Sequence, residues 1–249
     1  MEIIGVIPAR YGSSRLPGKP LLTIQGKPMV WWVYQRAKKA AGLSRIYVAT
    51  DHREIEKACQ DLEIPVLMTS PKHRCGANRL WEVSQKIPGD FYIQINGDEP
   101  LILPENIESA IPNPGLCRRM AREEYGTNII TEVLHPAEAL DSSNIKVVFD
   151  GEGKALYMSR TPIPYPAASL EVCYYKHVGI IGYSKKMLDF YQNSQPGFLE
   201  RTEGIDTLRF LDYGKPLFLI PVKKANTLSV DTVKDLKEVR KRVENAELC

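Results

Sequence analysis

The chain has 249 residues, of which 43% are hydrophobic, and its formal net charge at pH 7 is +3. This length and composition suit one large α/β domain, or such a domain with a smaller insert. The small net charge argues against nucleic-acid binding, and no apolar run approaches the roughly 20 residues that span a membrane. Because the N-terminus has no signal-peptide pattern, we expect a cytoplasmic protein without membrane insertion.

The cysteines favour the same compartment. The five are scattered along the chain, are odd in number and include no pair separated by two residues. Free thiols in a reducing cytosol fit this pattern better than a disulfide framework or a zinc site. Only Cys75 falls inside a motif, which spans residues 75–79.

The first predicted element is a short apolar strand over residues 3–7, which runs into a loop over residues 8–20. This loop carries two arginines, one lysine, two serines and two glycines. Glycines allow close approach of the backbone, serines donate hydrogen bonds and the cations offset charge, so the loop is suited to a polyphosphate. The spacing matches neither a P-loop nor G-x-G-x-x-G. The alternative is a solvated basic loop.

Strands and helices then alternate as far as residue 95. This order predicts an α/β fold, with a mostly parallel sheet and helices on both faces. Ligands bind at the carboxyl ends of such strands, so we expect the basic loop and residues 96–99 to converge there. The predicted strands cover residues 45–49, 65–68 and 91–95, and the predicted helices cover residues 29–41, 54–62 and 78–86.

The middle of the chain lacks this regular alternation of strands and helices. Proline and turn-forming residues flank predicted strands over 129–133 and 146–149, and residues 150–153 form a plausible hairpin turn. A further strand over 177–183 precedes a helix over 185–192. We interpret residues 125–185, approximately, as a small β-rich insert that forms the acceptor wall of the cleft and the surface of a homodimer. An amphipathic helix over 233–243 closes the domain.

Carboxylates follow two of the apolar runs. Asp98 comes directly after the strand 91–95, and Asp231 follows the runs 217–222 and 228–230. Mg²⁺ is commonly held by one or two carboxylates together with substrate phosphates. A carboxylate at a strand end, opposite a basic loop, is therefore a candidate magnesium ligand. The alternative is a turn that caps the strand.

The run from Pro8 to Leu21, PARYGSSRLPGKPL, closely resembles the opening motif of the 3-deoxy-manno-octulosonate (Kdo) cytidylyltransferases, also called CMP-Kdo synthetases. The likeness extends over nearly the whole chain, in the same order. Further matching segments are VATD at 48–51, NGDEP at 96–100, ALYMSR at 155–160, KHVG at 176–179, Leu208-Arg209 and VDT at 230–232.

The resemblance implies a single Rossmann-like nucleotidyltransferase domain over residues 1–249 that joins CMP from CTP to an acidic sugar, by default Kdo, with release of pyrophosphate. It also implies Mg²⁺ bound by Asp98 and Asp231. The acceptor oxygen attacks the α-phosphorus without a protein nucleophile, so catalysis rests on positioning and charge by Lys19, Arg15 and Asp98. The expected nucleotide-binding residues are Pro8, Ala9, Arg10, Ser13, Arg15, Lys19, Gly76, Arg79 and Asn96.

The acceptor side follows the family pattern less closely. Cys75, Ala77 and Asn78 replace the family's serine, threonine and acid, Asn96 replaces a glutamine, and Thr207 replaces another. Unpaired polar groups discriminate strongly between substrates, so such changes can redirect an acceptor. The residues that the resemblance assigns to the acceptor are Arg160, His177, Tyr183, Glu200, Glu203 and Thr207.

Three alternatives stay open. Arg160 could form a surface ion pair and His177 could be a half-buried structural histidine. The acceptor could be another acid, such as 8-amino-Kdo or a small phosphonate, in lipopolysaccharide biosynthesis or elsewhere. The protein could also bind CTP or a nucleotide sugar without turnover, although the presence of Lys19, Asp98 and Asp231 argues against this.

Overall fold

A computed structural model of the chain describes residues 1–12, 16–120, 124–168, 171–223, 225 and 228–245, with Arg119 described by its backbone alone. These residues form eleven strands and ten α-helices, together with a 3-10 helix over Lys19–Leu21. The strands are β1 (Ile3–Ala9), β2 (Thr23–Ile24), β3 (Lys27–Pro28), β4 (Arg45–Thr50), β5 (Val66–Met68), β6 (Phe91–Ile95), β7 (Gly126–Glu132), β8 (Lys146–Phe149), β9 (Ala155–Ser159), β10 (Tyr175–Ser184) and β11 (Leu217–Val222).

The helices vary from five to twelve residues within the described part of the chain. They are α1 (Met29–Lys39), α2 (Arg53–Asp61), α3 (Gly76–Lys86), α4 (Pro104–Ser109), α5 (Pro114–Met120), α6 (Pro136–Leu140), α7 (Lys185–Asn193), α8 (Phe198–Glu203), α9 (Leu208–Asp212) and α10 (Val233–Glu244).

One mixed sheet organises the chain, in the strand order β11, β7, β10, β6, β1, β4, β5. The pairs of β1 with β4 and β6, of β4 with β5 and of β7 with β11 are parallel. Only β10 runs antiparallel to its neighbours β6 and β7 along this path. The expected mostly parallel α/β sheet is confirmed.

Helices cover both faces of the sheet. β1 at its centre is accordingly apolar along almost its whole length, as is typical of a parallel strand that is buried on both faces. Successive side chains point to opposite faces. Ile3 and Ile7 pack in one cluster with residues of α1 and α2. Ile4 and Val6 pack in a second cluster with residues of α3 and α7. The central strand therefore contributes to two apolar cores.

Residues 125–185 are more closely integrated than the sequence suggests. β7 and β10 belong to the central sheet, while only the β8–β9 hairpin lies off its main path. The hairpin turn expected over 150–153 is present, because the Asp150 amide donates to the Lys154 carbonyl at 3.0 Å. Within this segment, only the β8–β9 hairpin therefore forms a small β-rich addition to the sheet. The dimer surface expected for the segment stays a prediction.

Three of the helices that the sequence analysis did not anticipate begin at a proline, namely α4, α5 and α6. Proline is well suited to the first position of a helix, where its missing N–H would have no partner within the helix. Pro114, one of the proline and turn-forming residues that precede the predicted strand over 129–133, starts α5 and not a turn. No helix in the described ranges is both long enough and apolar enough to cross a bilayer.

Gly182 leaves no room for a side chain where β10 crosses the sheet. A Cβ atom there would lie 2.3 Å from Phe91 Cε1 and 2.4 Å from Thr127 Oγ1. We expect Gly182→Ala to lower the free energy of unfolding by about 1–3 kcal/mol, through displacement of packed neighbours. Urea unfolding would measure this, with Gly151→Ala as control, since a Cβ there meets nothing within 4 Å. Equal midpoints for the two variants would contradict the prediction.

Candidate active site

A cavity of about 490 Å³ opens at the carboxyl ends of β1 and β6. Two loops meet there, as the parallel topology predicts. A Cβ atom on Gly97 would lie 2.7 Å from the Pro8 carbonyl oxygen, so the loop after β6 approaches the end of β1 closely because position 97 is glycine.

Most residues expected to bind the nucleotide line this cavity. Their distribution follows the sheet, because they lie at the end of β1, in the 3-10 helix, at the start of α3 and after β6. Ser13 and Arg15, for which nucleotide contacts were also expected, lie outside the described residues. The residues found at the cavity are Pro8, Ala9, Arg10, Lys19, Gly76, Arg79 and Asn96.

Lys19 lies between the two carboxylates expected to bind metal. Its Nζ atom is 2.9 Å from Asp98 Oδ2 and 2.9 Å from Asp231 Oδ1. Burial by itself would lower the pKa of Lys19, but the charge of Asp98 and hydrogen bonds to both carboxylates outweigh it and raise that pKa. The ammonium group is therefore charged, and the two carboxylates border one common position.

Backbone contacts explain why Asp231 reaches Asp98 across such a long stretch of sequence. The Val230 amide donates to the Asp98 carbonyl at 2.9 Å and fixes the two segments side by side. Asp231 then precedes α10, whose start is stabilised by a capping box between Thr232 and Asp235. The Asp231 amide also donates to Asp235 Oδ2 at 3.1 Å.

The pair Asp98 and Asp231 fits a divalent cation of the magnesium type. Both are oxygen donors at the cavity wall. Mg²⁺ needs only one or two protein carboxylates when phosphate oxygens complete its shell. The described residues contain no group of three or more histidine, cysteine or acidic side chains arranged for a metal.

Arg79 also lines the cavity, and hydrogen bonds hold its side chain in place. It is 3% exposed, and its guanidinium donates to Thr69 Oγ1 at 2.5 Å and to Asp51 Oδ2 at 2.7 Å. Position 76 needs a glycine, since a Cβ atom there would lie 2.3 Å from Gln94 Oε1. That oxygen is buried and has no hydrogen-bond partner among the described residues. It is an open acceptor beside the cavity.

Sequence reasoning missed several residues of this wall. Gln94 had a usable signal, because it is the one polar residue in the strand FYIQI. His73 and Arg74 also line the cavity, and His73 Nε2 lies 2.6 Å from Glu82 Oε2. Burial would raise the pKa of Glu82, but hydrogen bonds from Lys86, Ser70 and His73 lower it to about 2. His73 is thus anchored by a carboxylate.

Only two of the six residues expected on the acceptor side line the cavity, namely His177 and Thr207. Thr207 is 4% exposed, and its hydroxyl donates to Met158 Sδ at 3.3 Å. Tyr183 is 2% exposed and packs in the core of the sheet near Phe210, in the same apolar cluster as Ile181, and does not line the cavity.

Glu200 is also held away from the cavity, by a buried pair with Arg209. The guanidinium donates to both carboxylate oxygens, at 2.6 and 2.7 Å, and stacks on Tyr191 with 3.8 Å to the ring centroid. Such bidentate pairing fixes both side chains. The pair stabilises the junction of α7, α8 and α9 behind the cavity.

Arg160 and Glu203 bond to each other. Glu203 accepts from the Ser159 hydroxyl at 2.6 Å and from the Arg160 amide at 3.0 Å. The Arg160 guanidinium donates to the carbonyls of Glu203 and Gly204, at 2.8 and 3.2 Å. Because Gly204 begins the cavity wall over residues 204–207, these two residues position that wall.

Lys146 completes this support. It is 0% exposed, and its ammonium donates to the carbonyls of Asp141, Asn144 and Arg160 at 2.8, 2.6 and 2.5 Å. Burial lowers the pKa of Lys146. Three carbonyls satisfy all three ammonium donors, so the group joins the β8–β9 hairpin to the loop before it.

Two further side chains of the wall, Cys75 and Asp206, are in contact. Burial raises the pKa of the Cys75 thiol to about 11, and burial also raises the pKa of Asp206. The Cys75 thiol lies 3.2 Å from Asn78 Oδ1 and 3.4 Å from Tyr191 Oη. A thiol that stays protonated is unreactive, so Cys75 fills space in the wall. Asp206 was not anticipated from the sequence.

Comparison with known proteins identifies the family. A family model described as Cytidylyltransferase matches residues 4–223. The chain belongs to this family. It is 40% identical over 237 residues to the 3-deoxy-manno-octulosonate cytidylyltransferase of Escherichia coli, covering 94% of this chain and 93% of that protein. It is 37% identical over 246 residues to the 8-amino-3,8-dideoxy-manno-octulosonate cytidylyltransferase of Shewanella baltica, covering 98% and 99% respectively.

The structures agree with this assignment. The fold matches that of a CMP:2-keto-3-deoxy-manno-octonic acid synthetase complexed with CTP, with a TM-score of 0.91 and 38% identity over 99% of this chain and 100% of the other. An inositol-1-phosphate CTP transferase from T. maritima, 16% identical, shares the fold with a TM-score of 0.69, covering 99% of this chain and 98% of that one. The resemblance seen in the sequence is confirmed, and the protein is a nucleotidyltransferase.

The carbonyl contacts of Lys146 predict a measurable loss of stability. We expect Lys146→Met to lower the free energy of unfolding by about 2–4 kcal/mol, because three carbonyls lose their donor. Lys176→Met is the matched control, because Lys176 lies opposite Lys146 where β8 pairs with β10. The Lys176 ammonium bonds the Glu138 carboxylate, which is 33% exposed, so water can hydrate Glu138 in the variant and the loss of stability should be smaller. Chemical unfolding of both variants measures the difference. A Lys146→Met protein as stable as the wild type would contradict the network.

Proposed function

We propose that this enzyme transfers the cytidylyl group of CTP to the anomeric hydroxyl of an acidic sugar, with Kdo as the acceptor, and releases pyrophosphate. The observation that carries the proposal is the cluster of Lys19, Asp98 and Asp231 at the cavity where the ends of β1 and β6 meet. The names of the E. coli and Shewanella relatives support an octulosonate acceptor for this chain.

In this proposal the acceptor hydroxyl oxygen forms a bond to the α-phosphorus while the bond from the α-phosphorus to the bridging oxygen breaks. Pyrophosphate then leaves, and the hydroxyl proton passes to solvent. Arg10 and Lys19 would offset the growing charge on the phosphates, together with Arg15. Asp98 and Asp231 would hold Mg²⁺, which would supply further charge neutralisation when bound. Catalysis then consists of orienting two bound substrates and stabilising charge, which can supply most of a phosphoryl-transfer rate enhancement.

The nucleotide contacts are proposed from position. The backbone at Pro8, Ala9 and Arg10 would contact the cytosine, while Gly76, Arg79 and Asn96, with Ser13, would surround the base and ribose. The open Gln94 Oε1 suits an N–H donor on the ligand. For the acceptor we retain His177 and Thr207 as contacts, whereas Arg160, Tyr183, Glu200 and Glu203 would act by shaping the wall.

We propose a homodimer whose surface includes the β8–β9 hairpin and its neighbours. Large apolar side chains are exposed in this region, with Leu134 and Leu140 at 74%, Leu156 at 60% and Tyr165 at 86%. We infer that these side chains form one apolar patch, which would favour a protein interface. We also propose a cytoplasmic location and a role in lipopolysaccharide biosynthesis, as the sequence resemblance implies.

Pyrophosphate release with CTP and a panel of acceptors tests the function directly. We expect the highest kcat/KM with Kdo, compared with 8-amino-Kdo and a small phosphonate, and loss of turnover when EDTA removes divalent ions. Highest turnover with another acid would correct the acceptor. CTP binding without pyrophosphate release from any acceptor would instead identify a non-catalytic binding protein.

Lys19 tests the role of the charge cluster. We expect Lys19→Ala to lower kcat/KM by about 10²–10³-fold, because one cation that stabilises developing phosphate charge is lost. Steady-state kinetics with saturating Mg²⁺ measures the effect, and Lys57→Ala, at an exposed lysine paired with Asp61, is the control. Unchanged kcat and KM for CTP in the Lys19 variant would refute the assignment.

A further inference from the structure

An asparagine lies in the middle of β7, where the neighbouring strand β10 is irregular. Pairing runs in register as far as His177 opposite Ile130 and resumes at Ile181 opposite Asn128. Residues 178–180 of β10 therefore oppose Ile129 alone, which makes a β-bulge. Asn128 is 0% exposed, and its Nδ2 donates to the carbonyls of Val178 and Ile180, both at 3.0 Å.

The other end of the Asn128 amide contacts His177. Asn128 Oδ1 lies 2.7 Å from His177 Nδ1. The carbonyl oxygens around Nδ2 can only accept hydrogen bonds, so the amide nitrogen must face them and the amide oxygen must face the imidazole. An amide oxygen also only accepts, so His177 Nδ1 carries the hydrogen. The surroundings of Asn128 thus determine the tautomer of the histidine.

The second ring nitrogen of His177 is left without a hydrogen. Burial lowers the pKa of His177 to about 4, so at neutral pH the ring is uncharged and has a single N–H group. His177 is half-buried and lines the cavity, and its Nε2 has no hydrogen-bond partner among the residues that the structure describes. A bare, oriented nitrogen therefore borders the substrate cavity.

We propose that Asn128 is a positioning residue, which fixes His177 as the Nδ1–H tautomer so that Nε2 accepts a hydrogen bond from a hydroxyl group of the acceptor. This inference rests on the proposed function. A lone pair repels the oxygens of a carboxylate or phosphate and attracts an O–H donor. His177 thus selects for a sugar hydroxyl, and the carboxylate of the acceptor binds elsewhere, at cationic side chains.

The same bulge supports the nucleotide side. The Gly179 carbonyl accepts from the Asn96 amide at 3.0 Å, and a Cβ atom on Gly179 would lie 2.3 Å from Asn96 Nδ2. Asn128 therefore stabilises a backbone irregularity that contacts both proposed binding regions. Its effect on the acceptor must be separated experimentally from its effect on this backbone.

Kinetics on variants make that separation. We expect Asn128→Leu to lower kcat/KM for Kdo by about 10–100-fold, because His177 loses its fixed orientation. In a His177→Ala background the same substitution should cost almost nothing further, since residues that act through one another are non-additive. Additive losses would show that Asn128 supports only the backbone and would overturn the proposal. Thr127→Val, at an equally buried neighbour that donates to the Ala110 carbonyl at 2.6 Å, should retain wild-type kinetics.

The tautomer can be measured on the wild-type protein without substrates. The chain has four histidines, and comparison of ¹⁵N-labelled wild type with His177→Ala assigns the signals of His177. Two-bond ¹⁵N–¹H correlations at neutral pH should show a protonated Nδ1 and a bare Nε2. A protonated Nε2 or a charged ring would overturn the proposal, even if the enzyme is fully active. Absence of turnover with every acceptor would instead refute the proposed function and leave this spectrum unaffected.

Discussion

The attraction between Lys19 and the two carboxylates of Asp98 and Asp231 is the interaction on which the rest of the site depends. It joins segments that are 79 and 212 residues apart along the chain. Two partly buried carboxylates near one another would be costly without a cation, since burial and like charge both disfavour ionisation. The charge of Lys19 offsets this penalty, so the protein can keep two negative charges at the wall of a cavity proposed to bind an anionic nucleotide.

Behind this cluster two polar pairs form hydrogen bonds within the protein, and of these Arg209 with Glu200 is buried while Arg160 with Glu203 is half-buried. Arg209 with Glu200, and Arg160 with Glu203, form hydrogen bonds that a substrate would have to break in order to bind them. Removing one member of a buried pair costs more than the pair contributes, so Arg209 and Glu200 are poorly suited to exchange partners during turnover. We therefore infer that these side chains shape the cavity wall and do not bind the substrate directly.

The sequence predicted the fold well because the fold depends on local signals, and seven of the nine residues expected to bind the nucleotide line one cavity. An apolar strand followed by a polar loop identifies a strand end, and alternation of strands and helices identifies a parallel sheet. Of the six residues expected on the acceptor side, only His177 and Thr207 line this cavity. Tyr183 lies farther along β10 than Ile181, which does line the cavity, and the sequence does not show where along the strand the cavity ends. Glu200 and Glu203 are acidic residues on a short helix, and their partners Arg209 and Arg160 can be identified only from the tertiary structure.

The contacts of the substituted residues limit which of them could change the choice of acceptor. Five positions depart from the family pattern, but Ala77 packs in the core with residues of α7, and Asn78 Nδ2 donates to Gln192 Oε1 at 3.0 Å. Neither lines the cavity, and the hydroxyl of Thr207 is directed to Met158. The departures at the cavity wall are therefore Cys75, Asn96 and Thr207. Cys75 contacts Asp206, and Asn96 Oδ1 accepts from Gln94 at 3.0 Å. A change of acceptor would therefore have to act through Thr207 or through these two pairs, because Ala77 and Asn78 do not line the cavity.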